Sequence, residues 1–333
     1  MKGNTMKTIN NIMAGLVDKP LKLDYFHFNP RGKLKVNIFA MGDVGSTLLS
    51  GLFLLGGDVI DTIGIWDVDQ KQMDRYEAEY GQIKGPFDQE CFPDVKQISR
   101  DDLFKSDIVI FCASVGIPPV SETKKDVRMA QWEKNRPLIE GVAKEGAKAE
   151  FDGLFAVVSD PVDLLCKAAF LAATRENPNW KADQIRGYGL GVMNSRGAYY
   201  ARENEELELY LKEGRAFGPH GNGLVLANSI GNYQEGVSIE LTKLAIEANL
   251  VAREKGYKPY IAPALSSGAL SILKTIRGQW HYSSVYMGDS VKGAYFGQLN
   301  RLTQRGTEIE ELPLPADLFK RLAESYKGLC EVI

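Results

Sequence analysis

The chain is poor in the residues that mark several classes of protein. Its 333 residues include only four cysteines and three histidines, and lysine plus arginine (40) do not outnumber aspartate plus glutamate (43). A net charge of -3, without any strongly basic block, argues against a nucleic-acid partner. The longest apolar stretch, 48–66, is interrupted by Asp58 and Asp61, so we expect no membrane span.

The cysteines also exclude some kinds of site. They lie far apart in the sequence, without the paired spacing of a zinc site or the density of a disulfide framework: Cys91, Cys112, Cys166 and Cys330. We therefore predict buried or passive thiols, no metal, and a reduced, cytoplasmic setting. The first residues lack the continuous apolar core of a secretory signal, which agrees with that setting.

The composition that remains, 44% hydrophobic and 25% charged, is that of an ordinary globular protein. Near its start, an apolar strand at 36–39 is followed by the turn Ala-Met-Gly-Asp-Val-Gly-Ser at 40–46 and then by an apolar helix. A second apolar strand, Ile63–Trp66, ends at Asp67. The acidic residue falls roughly 20 residues after the glycines, which is the spacing of a dinucleotide-binding fingerprint.

Each residue of this pattern has a chemical reason. Gly42 would let the backbone approach a pyrophosphate, and Gly45 would let the helix pack closely on its strand. The helix N-terminus, with Asp43 and Val44 in its first turn, would supply N–H donors for the anion. Asp67 would bind a ribose diol and repel a 2′-phosphate, which favours NAD over NADP. Ala40 stands where the fingerprint has its first glycine, and such turns also occur for packing alone.

From residue 35 onward, apolar strands alternate with helical segments, and this order predicts an α/β fold with a Rossmann-like, doubly wound parallel sheet covered on both faces. The length suggests about two domains. We predict a dinucleotide-binding domain at 34–189 and an α+β substrate domain at 190–333. The strand and helix segments behind the first prediction are Val36–Phe39, Val44–Leu55, Thr62–Trp66, Gln70–Tyr80, Ile108–Cys112, Met129–Lys148 and Leu154–Val158.

The two ends of the chain give weaker patterns. In the extension 1–33, the apolar residues from Ile9 to Leu16 have helical spacing, and their face would pack on this chain or on a neighbour. In the second domain, Glu206–Leu211 alternates like a half-exposed strand, with Arg215–Phe217 as its return strand. Residues 240–255 and 316–329 are predicted to be helices.

The order of several motifs resembles the lactate/malate dehydrogenase family. After the glycine turn and Asp67 come Asp-Pro-Val-Asp at 160–163, an arginine at 196, and Gly-Pro-His-Gly at 218–221. The resemblance runs from about Lys35 to the C-terminus. It implies NAD as cofactor, a small 2-hydroxy or 2-oxo acid as substrate, and a homodimer or homotetramer.

The resemblance also implies roles for single residues. His220 resembles the histidine that transfers the proton, and Arg196 resembles the arginine that binds the substrate carboxylate. Arg128, seven residues before Asn135, resembles the arginine that polarises the substrate carbonyl. Ile108–Ser114 resembles the strand that ends beneath the nicotinamide, so Ala113 and Ser114 are implied cofactor contacts. Ser266 or Ser267 matches a pocket-lining hydroxyl.

General chemistry agrees with these roles. A hydroxyl proton must be removed when a hydride leaves a carbinol carbon, and an imidazole with a pKa of about 6.5 suits that task at neutral pH. A guanidinium matches a carboxylate through two parallel hydrogen bonds. Plainer interpretations exist: His220 in a glycine-rich turn, Arg196 following an Asn194 helix cap, and Arg128 on a charged helix face.

The chain departs from the family pattern at three places. The acid that orients the histidine is replaced by Met193, or by Asn194 if one residue is gapped. Asp160 replaces the usual Asn; it could act as an N-cap before Pro161, or its carboxylate could restrain His220 from another direction. Pro119 occupies the position of the malate-specificity arginine. The loop 120–127 is longer than in the family, and its Lys124 or Lys125 could replace that arginine, although solvated surface lysines are the better interpretation.

These departures leave two alternatives open. One is a nucleotide-binding relative that has lost efficient catalysis and acts by binding or assembly. The other is the similar NAD- and metal-dependent glycosidase family, which needs a cysteine and a histidine around manganese. The turn at 189–192 contains no cysteine, so this alternative is disfavoured.

Overall fold

A computed structural model describes residues 7–24, 26, 28, 32–86, 91–115 and 127–333, with side chains from residue 131 onward in the last range. In chain order its strands are β1 (Leu34–Phe39), β2 (Ile60–Trp66), β3 (Asp94–Gln97), β4 (Ile108–Phe111), β5 (Leu154–Val157), β6 (Ile185–Gly187), β7 (Arg215–Phe217), β8 (Val225–Ala227), β9 (His281–Gly288), β10 (Gly293–Thr303) and β11 (Gly306–Ile309). Within the described ranges, all but β7 and β8 form a single sheet, in the order β11-β10-β9-β6-β5-β4-β1-β2-β3.

The helices that cover this sheet are α1 (Asp43–Leu55), α2 (Gln70–Tyr80), α3 (Val127–Lys148), α4 (Val162–Glu176), α5 (Leu190–Glu203), α6 (Tyr210–Glu213), α7 (Glu235–Glu254), α8 (Leu270–Ile276) and α9 (Ala316–Cys330). Short 3-10 segments occur at Ile9–Met13, Arg100–Asp102, Ala182–Gln184 and Glu205–Leu207, and Pro263–Ala269 is a π-helical turn. In the part of the chain described, no helix is both long and apolar enough to cross a bilayer.

Six adjacent strands of the sheet are parallel, in the order β6-β5-β4-β1-β2-β3. The predicted doubly wound α/β fold is confirmed. Successive residues of the central strands pack on opposite faces, as the pleat requires. In β4, Val109 and Phe111 join the core with α3 and α4, whereas Ile108 and Ile110 join the core with α1 and α8. The continuous apolar strands of the sequence are therefore strands buried on both sides.

The chain reverses its winding direction between β1 and β4. From β1 it continues to β2 on one side, and β4 lies on the other side of β1. At such a switch point the loops after the two strands lead away from each other and leave a crevice at the carboxyl ends. The glycine turn follows β1, and the segments 112–115 and 158–161 follow β4 and β5, so the candidate residues of these three segments lie at this edge.

The C-terminal part of the chain extends the same sheet. β9 is antiparallel to β6, with Gly187 opposite Ser284, and β10 and β11 continue outward. A side chain at Gly187 would lie 3.1 Å from the Ser284 Cβ, so glycine permits this close pairing. Strands from both sides of the boundary predicted at residue 189 thus belong to one sheet. The division into two domains stays a prediction.

The strand predicted at Glu206–Leu211 is wrong. Glu205–Leu207 is a 3-10 turn, and α6 follows it. The Asn204 side chain accepts the Glu206 N–H at 3.0 Å and starts the turn. Leu207 and Tyr210 are buried three residues apart, which is helical spacing, and their burial outweighs the apparent alternation. Arg215–Phe217 is a strand, but its partner is β8.

The N-terminal extension packs on this chain. Ile9, Ile12 and Met13 are buried in a cluster with Leu318 and Leu322 of α9. The Leu314 N–H also donates to the Lys7 carbonyl at 2.9 Å. Of the two contacts predicted for this apolar face, the structure shows the one within the chain.

Candidate active site

The turn between β1 and α1 is tightly built. Ala40 has φ of 78°, the left-handed conformation that favours glycine, which explains why the fingerprint has glycine there. A Cβ at Gly45 would lie 2.1 Å from the Ala40 carbonyl oxygen, so only glycine lets α1 start this close to the strand. Among the described residues, no atom would lie within 4 Å of a Cβ at Gly42. Packing therefore requires Gly45 but not Gly42.

The open space at Gly42 leaves the backbone accessible to an anion such as a pyrophosphate. Gly42 is the N-cap of α1, and the first helical bond is from Ser46 N to the Gly42 carbonyl. The N–H groups of Asp43, Val44 and Gly45 therefore have no acceptor within the helix, and they can bind an anion at its positive end. Asp43 adds a carboxylate here, and Lys258 Nζ pairs with it at 2.8 Å.

Asp67 lies beside this turn, because Phe39 and Trp66 are opposite each other at the ends of β1 and β2. Its Oδ2 accepts the Met41 N–H at 2.6 Å, and its Oδ1 accepts the Asp69 N–H at 3.0 Å. Each carboxylate oxygen has a second lone pair. Asp67 can therefore hold the turn in place and still accept the hydroxyls of a ribose.

Asn135 of α3 joins the ends of β4 and β5. It is fully buried. Its Oδ1 accepts the Val115 N–H at 2.7 Å, and its Nδ2 donates to the Asp160 carbonyl at 2.8 Å and to the Ser114 hydroxyl at 3.3 Å. Nearby, the Ser159 hydroxyl donates to the Ala113 carbonyl at 2.6 Å. These bonds fix the predicted contacts Ala113 and Ser114 next to Asp160.

The structure brings His220 and Asp160 together. His220 Nδ1 lies 3.1 Å from Asp160 Oδ1; the side chain of His220 is 9% exposed and that of Asp160 is 42% exposed. Asp160 is not an N-cap: α4 begins at Val162, and its N-cap is Pro161. The sequence-based interpretation of Asp160 as a cap is wrong because its carboxylate faces the imidazole instead.

A second carboxylate lies behind the same histidine. Asp163, in the first turn of α4, is buried, and its Oδ2 accepts the backbone N–H of His220 at 3.0 Å. Its Oδ1 accepts the hydroxyl of Ser284 in β9. Burial raises the pKa of Asp163 to about 6, against the lowering effect of the Ser284 and His220 hydrogen bonds. Sequence reasoning did not identify Ser284, because no local pattern marks it.

Arg196 lies in the second turn of α5, so its interpretation as a residue at a helix start is wrong. Its Nη1 lies 3.3 Å from the Ala245 carbonyl of α7 and 3.5 Å from the sulfur of Met193. Asn194 accepts a hydrogen bond from the Tyr210 hydroxyl at 2.9 Å. Met193 thus contacts Arg196, Asn194 contacts Tyr210, and the convergence of Arg196 with His220 stays a prediction.

Arg128 and Ser266, the two other predicted substrate contacts, are described in the structure to different extents. The backbone of Arg128 is in the first turn of α3, but its side chain lies outside the described residues, as do Pro119, Lys124 and Lys125. Ser266 is half-buried in the π-helical turn. The neighbouring Ser267 hydroxyl donates to the Gly189 carbonyl at 2.9 Å and accepts the Val192 N–H at 2.8 Å, so it holds the start of α5.

Two observations bear on metals and cysteines. Over the residues whose positions are described, no group of three or more His, Cys, Asp or Glu side chains is placed to hold a metal ion. The four cysteines are free; Cys112 and Cys166 are buried, Cys330 is half-buried and Cys91 is exposed. Burial raises the pKa of Cys112 to about 12, so this thiol is inert at neutral pH.

Comparison with known proteins agrees with this architecture, although no family model matches the chain. An L-lactate dehydrogenase of Treponema denticola is 26% identical over 191 residues, which cover 57% of this chain and 56% of that enzyme. L-lactate dehydrogenase 2 of Staphylococcus aureus strain Newman is 24% identical over 316 residues, 89% of this chain and 94% of that enzyme.

Solved structures show the same fold. A lactate dehydrogenase from a Medee basin deep-sea metagenome library superposes with a TM-score of 0.68 at 18% identity, covering 90% of this chain and 98% of its own. The malate dehydrogenase of Picrophilus torridus superposes with a TM-score of 0.70 at 17% identity, covering 89% and 95%. The likeness spans both the N-terminal half and the C-terminal half of this chain.

Proposed function

Since this chain is a divergent member of the lactate/malate dehydrogenase family, we propose that it is an NAD-dependent oxidoreductase of a small 2-hydroxy or 2-oxo acid. One observation carries the proposal: Asp160 Oδ1 lies 3.1 Å from His220 Nδ1. The imidazole therefore has a carboxylate partner although Met193 occupies the position where the family resemblance expects one. A histidine supported in this way suits the proton transfer that oxidation of a hydroxy acid requires.

The proposed role of His220 is to take or give one proton at Nε2. When Nδ1–H donates to Asp160, the neutral ring has its lone pair on Nε2, which can accept the hydroxyl proton of a 2-hydroxy acid. The same carboxylate then stabilises the imidazolium that forms. In the reverse direction the protonated ring donates from Nε2 to the oxygen of a 2-oxo acid.

The cofactor site is the turn between β1 and α1. Gly42 and the first turn of α1 would bind the pyrophosphate, and Asp67 would bind the ribose diol, which favours NAD over NADP. Ala113 and Ser114 after β4 are the proposed contacts beside the nicotinamide. When bound, the cofactor accepts or supplies the hydride.

The substrate residues are proposed from the resemblance and from chemistry. Arg196 binds the substrate carboxylate, Arg128 polarises the carbonyl, and Ser266 lines the pocket; a guanidinium matches a carboxylate through two parallel bonds. Pro119 cannot supply the second cation of a dicarboxylate site, which favours a monocarboxylate. We expect the protein to act in the cytoplasm as a homodimer or homotetramer.

A screen of 2-oxo acids with NADH tests the proposal. We expect loss of NADH absorbance with at least one acid, and we expect His220→Gln to abolish it while the far-UV circular dichroism stays unchanged. The control is the same protein with NADH and no acid. If the folded protein turns over no candidate acid in either direction, the proposal is wrong.

A binding protein without catalysis is the second function that the sequence leaves open. The argument for this function is that Met193 or Asn194 replaces the acid expected to orient the histidine. The carboxylate of Asp160 beside His220 weakens that argument. Calorimetry with NADH, together with the turnover screen, distinguishes the two functions. Tight NADH binding without hydride transfer to any acid would favour the binding protein.

A further inference from the structure

The Asp163 carboxylate connects three parts of the chain around the histidine. It belongs to α4, it accepts the backbone N–H of His220, and it accepts the hydroxyl of Ser284 in β9. Its side chain is deeply buried, with the whole residue 4% exposed. Both carboxylate oxygens are therefore engaged, and neither is directed at solvent.

A carboxylate in such a place is costly. Desolvation, with a smaller contribution from the nearby Asp160 charge, raises the pKa of Asp163 to about 6. An apolar residue of similar size at the start of α4 would avoid the cost of burying this charge. The hydrogen bonds that it accepts from His220 and Ser284 offer a reason why a polar acceptor stands there, and buried acids with raised pKa values are concentrated at functional sites.

The turn that carries His220 needs an external support. Gly218, Gly221 and Gly223 have φ values of 90°, 136° and 91°, so the turn depends on residues of high backbone freedom. Gly189 leaves room for the imidazole, because a Cβ there would lie 2.8 Å from the His220 Cβ. The backbone N–H of His220 is fixed in this space by Asp163.

We propose that Asp163, held by Ser284, is a positioning residue for the proton transfer at His220. It fixes the backbone of the histidine so that Nδ1 stays against Asp160 and Nε2 stays directed at the substrate. Asp163 acts through His220 and touches neither substrate nor cofactor. The inference rests on the proposed function of His220, but it concerns the geometry of the ring, which can be measured without turnover.

The experiment compares Asp163→Ala, Asp163→Asn and Ser284→Ala. Asn keeps an acceptor for the His220 N–H, and Ala removes it. A matched control is Asp183→Ala, since Asp183 is also buried and accepts the Phe26 N–H at 2.9 Å. The first readout is the tautomer of His220, read from the nitrogen-15 shifts of its imidazole. The second is kcat and KM for a 2-oxo acid that the NADH screen identifies as a substrate.

We expect mixed tautomers in Asp163→Ala, and a fall in kcat of about 10- to 100-fold with KM changed less than about twofold, because a small displacement of the proton-transfer group affects the chemical step. Ser284→Ala should show a smaller change in the same direction, and Asp163→Asn should stay close to the wild type. Wild-type tautomer and kcat in Asp163→Ala overturn the proposal, and so does an equal effect of Asp183→Ala.

The readouts separate this inference from the proposed function. If no acid is turned over but Asp163→Ala still changes the tautomer, the function fails and the positioning role stands. If Asp163→Ala does not fold, Ser284→Ala carries the test, and an unchanged tautomer and kcat in that variant overturn the proposal.

Discussion

Asp160→Asn is the substitution that distinguishes a partner of His220 from a neutral neighbour. Asn has almost the same size and shape as Asp, so packing at the end of β5 should be preserved. The charge that faces Nδ1 is lost, and an amide can present either its oxygen or its nitrogen to the ring. The variant should therefore lose both the tautomer preference and the stabilisation of the imidazolium.

The magnitude follows from the distance and the exposure. Two unit charges at 3.1 Å interact by about 1.3 kcal/mol in water and about 5 kcal/mol at an effective dielectric constant of about 20. The Asp160 side chain is 42% exposed, so a value of about 2 kcal/mol, near the lower limit, is appropriate. This loss in the transition state corresponds to a decrease of about 30-fold in kcat.

The assay is kcat at saturating NADH and substrate, measured over a range of pH. A matched control is Asp101→Asn, which removes an exposed carboxylate from the 3-10 segment after β3. The control should keep the wild-type rate, which shows that loss of one negative charge is not the cause. An Asp160→Asn enzyme with kcat within about twofold of the wild type at every pH would refute the reasoning, since a loss of about 2 kcal/mol could not be hidden.

Three further predictions concern the cofactor turn and the core. Gly42→Ala should leave the melting temperature unchanged, because no described atom lies within 4 Å of its Cβ, yet weaken NADH binding in calorimetry. Gly45→Ala, whose Cβ would lie 2.1 Å from the Ala40 carbonyl oxygen, should lower the melting temperature by at least about 2 °C. If both variants melt and bind alike, the assigned roles of the glycines are wrong. Asp67→Ser should reduce the preference for NADH over NADPH by at least about tenfold in the same assay, through loss of charge-assisted bonds to the ribose; an unchanged preference argues against the ribose contact. Burial lowers the pKa of His281 from 6.5 to about 3. Between these pH values the imidazole is therefore protonated in the unfolded chain and neutral in the folded chain. The free energy of unfolding should therefore decrease as the pH falls, by up to about 1.4 kcal/mol per pH unit between these values. Urea unfolding at pH 7 and pH 5 measures this slope, and His281→Asn should reduce it; equal slopes contradict the assignment.

The parts of the fold that could be predicted are those with strong local signals. α2 was predicted with the observed bounds, because Asp69 caps its start and Gly81 follows its end. The continuous apolar runs of β4 and β5 identified the parallel sheet. β9 to β11 gave no such signal: β9 adds to the sheet through β6, whose partner residue Gly187 is far away in the sequence.

The candidate site shows the same division. Gly42, Gly45 and Asp67 form a motif of fixed spacing and could be found from the sequence. The position of Asp160 beside His220 was one of two interpretations left open, because only the tertiary fold decides between a helix cap and a histidine partner. The Asp163 contacts span 57 residues to His220 and 121 residues to Ser284. No periodicity or motif encodes contacts at such separations.

The pairing of β6 with β9 has a mechanical consequence. Ser284 on β9 donates a hydrogen bond to Asp163, which accepts the His220 N–H. β9 also pairs with β6, the strand that leads into α5. Movement of the C-terminal strands away from the parallel strands would break the backbone pairing of Gly187 with Ser284. The acid that holds the His220 backbone is thus tied to the main sheet, so we expect the imidazole to be aligned before a substrate binds.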